Sequence, residues 1–331
     1  MAYRLIASES VPEGIQRVVR EEIRSATETL RKEAKGQRDE AVHEARKSIK
    51  KVRGVLRLVK PQLGQTYRQE NTRFRDVGRQ LSDLRDAAAL LEVFDELTEK
   101  FKDVLDSKGL KAVRQGLEQD KREIEQHLNA AKVVQRASAI LHSAELRLTK
   151  WPLREDGFHA LAPGLKQTYR RGRRALKLAK KRETPGAYHD FRKRVKDHWY
   201  HVRLLEGVWT GVMEAHEKSL KDLETWLGDD HNLVVLREKL EANPDSYGGE
   251  AVVPVFLAVV AEHQNQLREN SISLGERVYT ERPSVFVHNI GKLWKTWHSQ
   301  PDAVKDVSRF EPSAPPKVVG REPAAKSQKA G

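Results

Sequence analysis

The chain has 331 residues, enough for two domains of ordinary size, and carries 61 Lys plus Arg against 48 Asp plus Glu, a net charge of +13. It has no cysteine, which excludes disulfides and thiolate metal sites. With 33% charged and only 6% aromatic residues, the composition suits a solvated helical protein better than a sheet.

Apolar residues recur at three- and four-residue intervals almost throughout, which predicts an all-α chain. No apolar signal core follows Met1, and the most apolar stretch, Ala251 to Ala261, is too short for a membrane span and is broken by Pro254. These features predict a soluble, cytoplasmic protein with no membrane partner. Breaks near Gly36, Pro61–Gly64, Ser107–Gly109, Pro152–Gly157, Thr184–Gly186, Asn243–Gly249 and Pro283 divide the chain into roughly six helices per half.

The first informative helix is predicted over Ala41 to Lys60. Val42, Ala45, Ile49, Val52, Leu56 and Val59 follow a 3-4-3-4-3 spacing and form its buried stripe. His43, Arg46, Lys50, Arg53 and Arg57 each follow a stripe residue. Each is rotated by about 100° from it, on the shoulder of the core. Lys47 adds a further charge. Residues 43–60 hold seven basic side chains and one acid, Glu44. Next come Arg75, Arg79 and Arg85, leading into Leu81-Ser82-Asp83-Leu84-Arg85-Asp86, where Asp83 and Asp86 are candidate partners for Arg79 or Arg85.

Trp151 to Gly157 is the expected boundary between an N-terminal bundle (1–150) and a C-terminal bundle (151–300). A helix from Pro163 to Arg182 opens the second half. Leu165, Tyr169, Gly172, Leu176 and Ala179 form its buried face, with Gly172 permitting close helix approach. Lys166, Arg170, Arg173, Lys177 and Lys180 occupy the shoulder, and Arg171 and Arg174 lie elsewhere on the helix. Arg170, Arg173, Arg174 and Lys177 are candidate polyanion contacts. Residues 166–203 hold 14 Lys or Arg and three acids.

The following helix repeats the first basic one. His189, Arg192, Lys193, Lys196 and Arg203 each lie 146 residues after His43, Arg46, Lys47, Lys50 and Arg57 (189 − 43 = 203 − 57 = 146). The same offset carries Leu81 and Asp83 onto Leu227 and Asp229, and Leu90 onto Leu236. A register shared over such distances predicts an internal duplication: two helical bundles related by a pseudo-twofold axis. Tyr188, Phe191, Val195, His198, Val202 and Leu205 take the buried positions, His198 as a core or interface residue. Trp199 stands where Arg53 stands. After Pro301 the periodicity fades, and residues 301–331 are expected to be a disordered tail.

From His43 to Arg57 the basic row runs about 21 Å. A point phosphate needs two or three donors, whereas a row of this length suits a linear anion.

The run His43-Glu44-Ala45-Arg46-Lys47-Ser48-Ile49-Lys50-Lys51-Val52-Arg53 resembles the defining helix of the CHAD family, the histidine-bearing α-helical domains. Leu81 to Asp86 resembles that family's Leu-Gly-x-x-Arg-Asp segment, with Ser82 in place of glycine. His189-Asp190-x-Arg192-Lys193-x-x-Lys196 and Leu227-Gly228-Asp229-Asp230-His231-Asn232 are similar counterparts. The resemblance covers about residues 5–300. It implies two helical bundles around a central basic channel that binds inorganic polyphosphate, and targeting to polyphosphate granules in the cytoplasm. It carries the binding role to His43, Arg46, Lys47, Lys50, Arg53, Arg57, Arg79, His189, Arg192, Lys193, Lys196 and Arg203. Asp230-His231-Asn232 departs from the family's arginine pattern.

His189-Asp190, with His201 and Asp229 or His231, offers a superficial metal-dependent phosphohydrolase pattern. The first half lacks a counterpart of His201 and has Arg85 at the place of His231, where a cation would repel a metal. The expectation is therefore noncatalytic polyphosphate binding, with no cofactor and no metal. Nucleic-acid binding rests on the same charges but lacks a repeated aromatic: Trp199 and Tyr200 match Arg53 and Gly54. Metal-dependent phosphate hydrolysis is the remaining alternative.

Overall fold

The computed structural model describes residues 3–32, 38–102, 107–127 and 129–299. The side chains of Asp83, Arg85 and Asp86, and the expected tail 301–331, lie outside the described residues. The described residues are all-α: twelve α-helices with short 3-10 turns and no strand. In the first half these are α1 (Val11–Lys32), α2 (Arg38–Leu58), α3 (Lys60–Leu63), α4 (Gln65–Gln80), α5 (Ser82–Lys100), α6 (Ser107–His127) and α7 (Ala130–Arg147). The second half has α8 (Ala162–Arg182), α9 (Pro185–Leu204), α10 (Thr210–Ala242), α11 (Val253–Val278) and α12 (Pro283–Ser299).

Local chemistry explains the helix starts. Ser10 and Glu13 form a capping box before α1: the Ser10 amide donates to Glu13 Oε2 at 3.0 Å, and the Glu13 amide donates back to Ser10 Oγ at 3.4 Å. Asn129 accepts from the Lys132 amide at the start of α7. Thr184 accepts from the Ala187 amide at the start of α9, with Pro185 at the first helical position.

Two buried cores form, and they do not divide at residue 151. The larger one draws on α1, α2, α4, α7, α8, α9, the first half of α10, and α12. The smaller one joins Phe94 and Leu97 of α5 and Val113 and Leu117 of α6 to Leu233, Leu236 and Leu240 of α10 and Phe256 and Val260 of α11. Helix α10 belongs to both, because its 33 residues reach about 50 Å.

The helices pack in matched pairs: α1 on α2 and α8 on α9, α2 on α4 and α9 on α10, α5 on α6 and α10 on α11, α1 on α7 and α8 on α12. At the centre α2 meets α9 directly. That contact is close because residue 54 is glycine. A Cβ there would lie 2.9 Å from the Cβ of Tyr200. Gly172 plays the same part between α8 and the end of α11, where a Cβ would strike the Tyr279 ring at 2.3 Å.

Candidate functional site

The buried stripes of the two basic helices fall as their spacing dictates. Val42, Ala45, Ile49, Val52, Leu56 and Val59 are all buried, and so are Tyr188, Phe191, Val195, His198, Val202 and Leu205. With α2 and α9 pressed together, the two basic shoulders open onto one space. A cavity of about 780 Å³ lies where α2 and α9 meet α5 and α10. His43, Arg46, Lys50, Arg53 and Arg57 line it from α2, and His189, Arg192, Lys193, Arg194, Lys196, Asp197 and Tyr200 line it from α9. Glu92 and Glu96 of α5 and Asp229, His231 and Asn232 of α10 complete the polar wall. Eight Lys or Arg therefore face four carboxylates.

A second cavity of about 310 Å³ adjoins the first and shares Arg46, Lys50 and Arg53 with it. Its other walls are Ile49 of α2, Arg75, Gly78 and Arg79 of α4, and Ser82. Arg53 donates from Nε to Asn71 Oδ1 at 3.2 Å, and Arg75 pairs with Asp76 at 2.9 Å.

Burial and crowded positive charge act together on the cations of this site. Burial, then Lys196, Arg46 and Arg192, push the Lys50 ammonium down to about 7. Burial and then Arg57 push Arg53 down to about 10. Glu224 of α10 lies beneath the α9 row: Lys196 donates to it at 2.6 Å, Lys221 at 3.2 Å, and Arg192 approaches within 3.6 Å. Burial works to raise this carboxyl, but Lys196, Arg192 and Lys221 overcome it and hold it at about 2. Burial and Glu96 push Asp229 up to about 6.

Histidines stand both at the cavity wall and in the core. The His189 and His231 rings meet at a tilt of 41°, with centroids 4.1 Å apart, at the cavity wall. Burial and then Lys193 and Arg192 lower His189, and burial and then His189 bring His231 down to about 4. Thr184 caps α9, whereas Nδ1 of His189 is buried without a hydrogen bond. His198 is fully buried against Tyr169 and Phe286. Among the described residues, no three His, Asp or Glu side chains are grouped to hold a metal ion.

Not every expected residue reaches the cavities. Lys47 points away and pairs with Glu44 at 2.6 Å. Arg203 lines neither cavity: Glu217 holds it at 3.1 Å, and it lies over the rings of Tyr3 and Trp199. Its match Arg57 does line the larger cavity, oriented by Asp197 at 3.1 Å. Arg170, Arg173, Arg174 and Lys177 on α8 line neither cavity, and all but Arg173 are exposed. His231 and Asn232 do face the larger cavity. Asp230 turns the other way, buried, accepting from Arg268 of α11 at 2.6 Å and from Gln264. Arg194 and Glu224 escaped sequence reasoning. Their matches 146 residues earlier are Ser48 and Gly78, so the repeat gave no signal for either.

Residues 21–241 match the family model of the CHAD domain. The chain belongs to the CHAD family. The matched span runs from within α1 to the end of α10 and includes every residue that lines the two cavities. No curated protein matches the chain. No helix among the described residues of this CHAD protein is long and apolar enough to cross a membrane.

Proposed function

We propose that this CHAD protein binds inorganic polyphosphate without catalysis, through a duplicated Lys- and Arg-lined site between its halves, and that this binding directs it to polyphosphate granules in the cytoplasm. The observation that carries the reading is the meeting of both basic rows, from α2 and α9, on one cavity. Eight cations around a single space exceed what one phosphate can satisfy and suit a polymer with a negative charge on every unit. The matched packing of helices and the contact between the matched residues Gly54 and Tyr200 support the duplication.

The nucleic-acid alternative needs aromatic faces open for base stacking. Trp199 is stacked on Tyr200, with Arg203 and Lys221 over its ring. Tyr200 itself is buried. A metal-dependent phosphohydrolase would have to hold a cation at His189 and His231 beside Arg192 and Lys193, which repel it.

The test is a titration of the full chain with long polyphosphate at two salt concentrations. Affinity is expected to fall steeply with salt and to drop by about tenfold or more in Lys196→Glu and Lys50→Glu. Unchanged affinity in both reversals would sink the assignment. Nucleic acid displacing polyphosphate at equal phosphate concentration would favour the second reading, and phosphate release abolished by chelator would favour hydrolysis.

A further inference from the structure

The cationic row of α2 does not stop at Arg57. His43, Arg46, Lys50, Arg53, Arg57 and Lys60 keep a 3-4-3-4-3 spacing. The Val59 amide donates to the Val55 carbonyl at 3.1 Å, so the helical course continues from α2 into α3 and carries Lys60 with it. There a further cavity, of about 620 Å³, opens between α3, the start of α4 and α8. Lys60, Gln65, Tyr67, Arg68 and Gln167 line it, and no carboxylate does among the described residues. It sits at the opposite end of α4 from Ser82, about 24 Å along the helix. Lys60 lies over the Tyr67 ring at 5.0 Å from its centroid. Tyr67 in turn lies close enough to Arg53, which lines the larger cavity, to interact with its charge. Arg53, Tyr67 and Lys60 therefore form a chain of neighbours between the two spaces.

The second half has the same frame with the opposite charge. The spacing of 146 sets Leu58 on Leu204, Val59 on Leu205, Phe74 on Leu220 and Val77 on Leu223, and all eight are buried. It also sets Lys60 on Glu206, Arg68 on Glu214 and Asn71 on Glu217 (206 − 60 = 214 − 68 = 217 − 71 = 146). Two cations and an amide are thus replaced by three carboxylates. These carboxylates are neighbours: burial first, and then the charges of Glu206 and Glu214, raise the Glu217 carboxyl against the pull of Arg203. In the first half Asn71 accepts from Arg53 and Arg57 stays on the larger cavity, whereas Glu217 holds Arg203 off it.

We propose that long polyphosphate leaves the larger cavity on one side only, past Tyr67, Lys60 and Arg68 at the start of α4, and that Glu206, Glu214 and Glu217 close the equivalent path in the second half. The proposal rests on the polyphosphate reading above. With Lys60 included, the row on α2 spans about 26 Å and passes from one cavity to the other. Helix α4 begins at the outer cavity with no capping side chain, so its positive dipole end adds to the charges of Lys60 and Arg68. On the other side three carboxylates repel each phosphate that approaches, and Arg203 is already paired with Glu217.

The chain contains no cysteine, so a single label can be placed at a chosen position. Gln65→Cys and Gly211→Cys mark matched, exposed positions on the two sides (211 − 65 = 146), each carrying an environment-sensitive fluorophore on the full chain. Long polyphosphate is expected to shift the emission of the label at 65 and leave the label at 211 unchanged. Placing the first-half residues on the second side, Glu206→Lys with Glu214→Arg, should make the label at 211 respond. In calorimetric titration Lys60→Glu with Arg68→Glu should weaken long polyphosphate by about tenfold. Arg174→Glu with Lys177→Glu makes the same change of charge on exposed residues of α8 that line none of these cavities, and should cost no more than about two- to threefold. Retained helical signal shows that each variant is folded. A silent label at 65, equal responses of the two labels, or a loss at Lys60 and Arg68 no larger than on α8 would each overturn the proposal. Continued silence of the label at 211 after the Glu206 and Glu214 changes would overturn the role given to the acids. Failure of wild type to bind long polyphosphate would overturn the underlying reading instead.

Discussion

His201 donates from Nε2 to the backbone carbonyl of Gly54 across 3.0 Å, tying α9 to α2 where Gly54 packs against Tyr200. Burial brings His201 down to about 4, so near neutral pH the ring is uncharged and its single proton serves this bond. One turn before this crossing stand Lys50 on α2 and Lys196 on α9. A larger side chain at position 54 would press on Tyr200 and spread the two rows. Gly54→Val is expected to destabilise the protein by about 1–3 kcal/mol, the usual range for overpacking a filled interior. It should also weaken polyphosphate binding, since the cations no longer share one cavity. Thermal melting and a binding titration check both, and a variant as stable as wild type would show that the crossing has slack.

Lys50 is expected to make polyphosphate binding depend on pH. Held at about 7 by burial and by its cationic neighbours, it is partly neutral in the free protein near neutral pH. A polyanion adds negative charge beside it and raises its pKa, so binding above pH 7 takes up a proton. Affinity therefore falls as pH rises from about 7 toward the pKa of the bound state. Calorimetry at pH 8 in buffers of different ionisation enthalpy should show proton uptake, and Lys50→Arg should remove it while keeping the charge. Heats that do not vary with buffer would contradict this. For stability without ligand, the unfolded chain keeps a proton that the folded chain releases between about 7 and 10.5. Through that window this group's contribution rises with pH.

Glu224 is also shifted downward, so its contribution likewise rises with pH, but over an acid window. Its carboxyl is held at about 2, below its ordinary 4.5, by Lys196, Arg192 and Lys221 against the cost of burial. The contribution is complete above pH 4.5 and is lost as pH falls through about 2. It is on the order of 3–4 kcal/mol, because one pKa unit corresponds to about 1.4 kcal/mol. Glu224→Gln should lower stability at neutral pH by about that amount and flatten the acid side of the stability profile. Added polyphosphate should restore part of the loss by supplying the missing negative charge. Denaturant unfolding from pH 2 to 7 reads this out, and parallel profiles for variant and wild type would count against it.

The apolar stripes of α2 and α9 were legible because a helix with one buried face repeats every three or four residues. Every residue of both stripes is buried. The common spacing of 146 likewise pointed to several of the cations that share the larger cavity. Spacing says which face of a helix a residue occupies, not what lies against that face. Arg203 shares the register of Arg57, yet Glu217 and the rings of Tyr3 and Trp199 draw it off the cavity. Glu224 and Arg194 were invisible for the converse reason: a repeat compares like with like, and their matches are Gly78 and Ser48. The smaller core joins α5 and α6 to α11 across residue 151 through the reach of α10, which no local pattern encodes.

The basic face of α8 separates contact from long-range attraction. Arg170, Arg174 and Lys177 are exposed, lie on a helix that packs on α2, α9, α11 and α12, and line neither cavity. Attraction between an exposed charge and a distant phosphate is screened over about 8 Å at physiological salt. Lys196 lines the larger cavity, is mostly shielded from solvent and is screened much less. A double reversal, Arg170→Glu with Lys177→Glu, is therefore expected to lower polyphosphate affinity by no more than about two- to threefold at physiological salt. Lys196→Glu should cost about tenfold or more. The gap should narrow at low salt, where the α8 charges act at longer range and speed association. Should the α8 reversals cost as much as Lys196→Glu at physiological salt, polyphosphate must run out of the cavity and along α8.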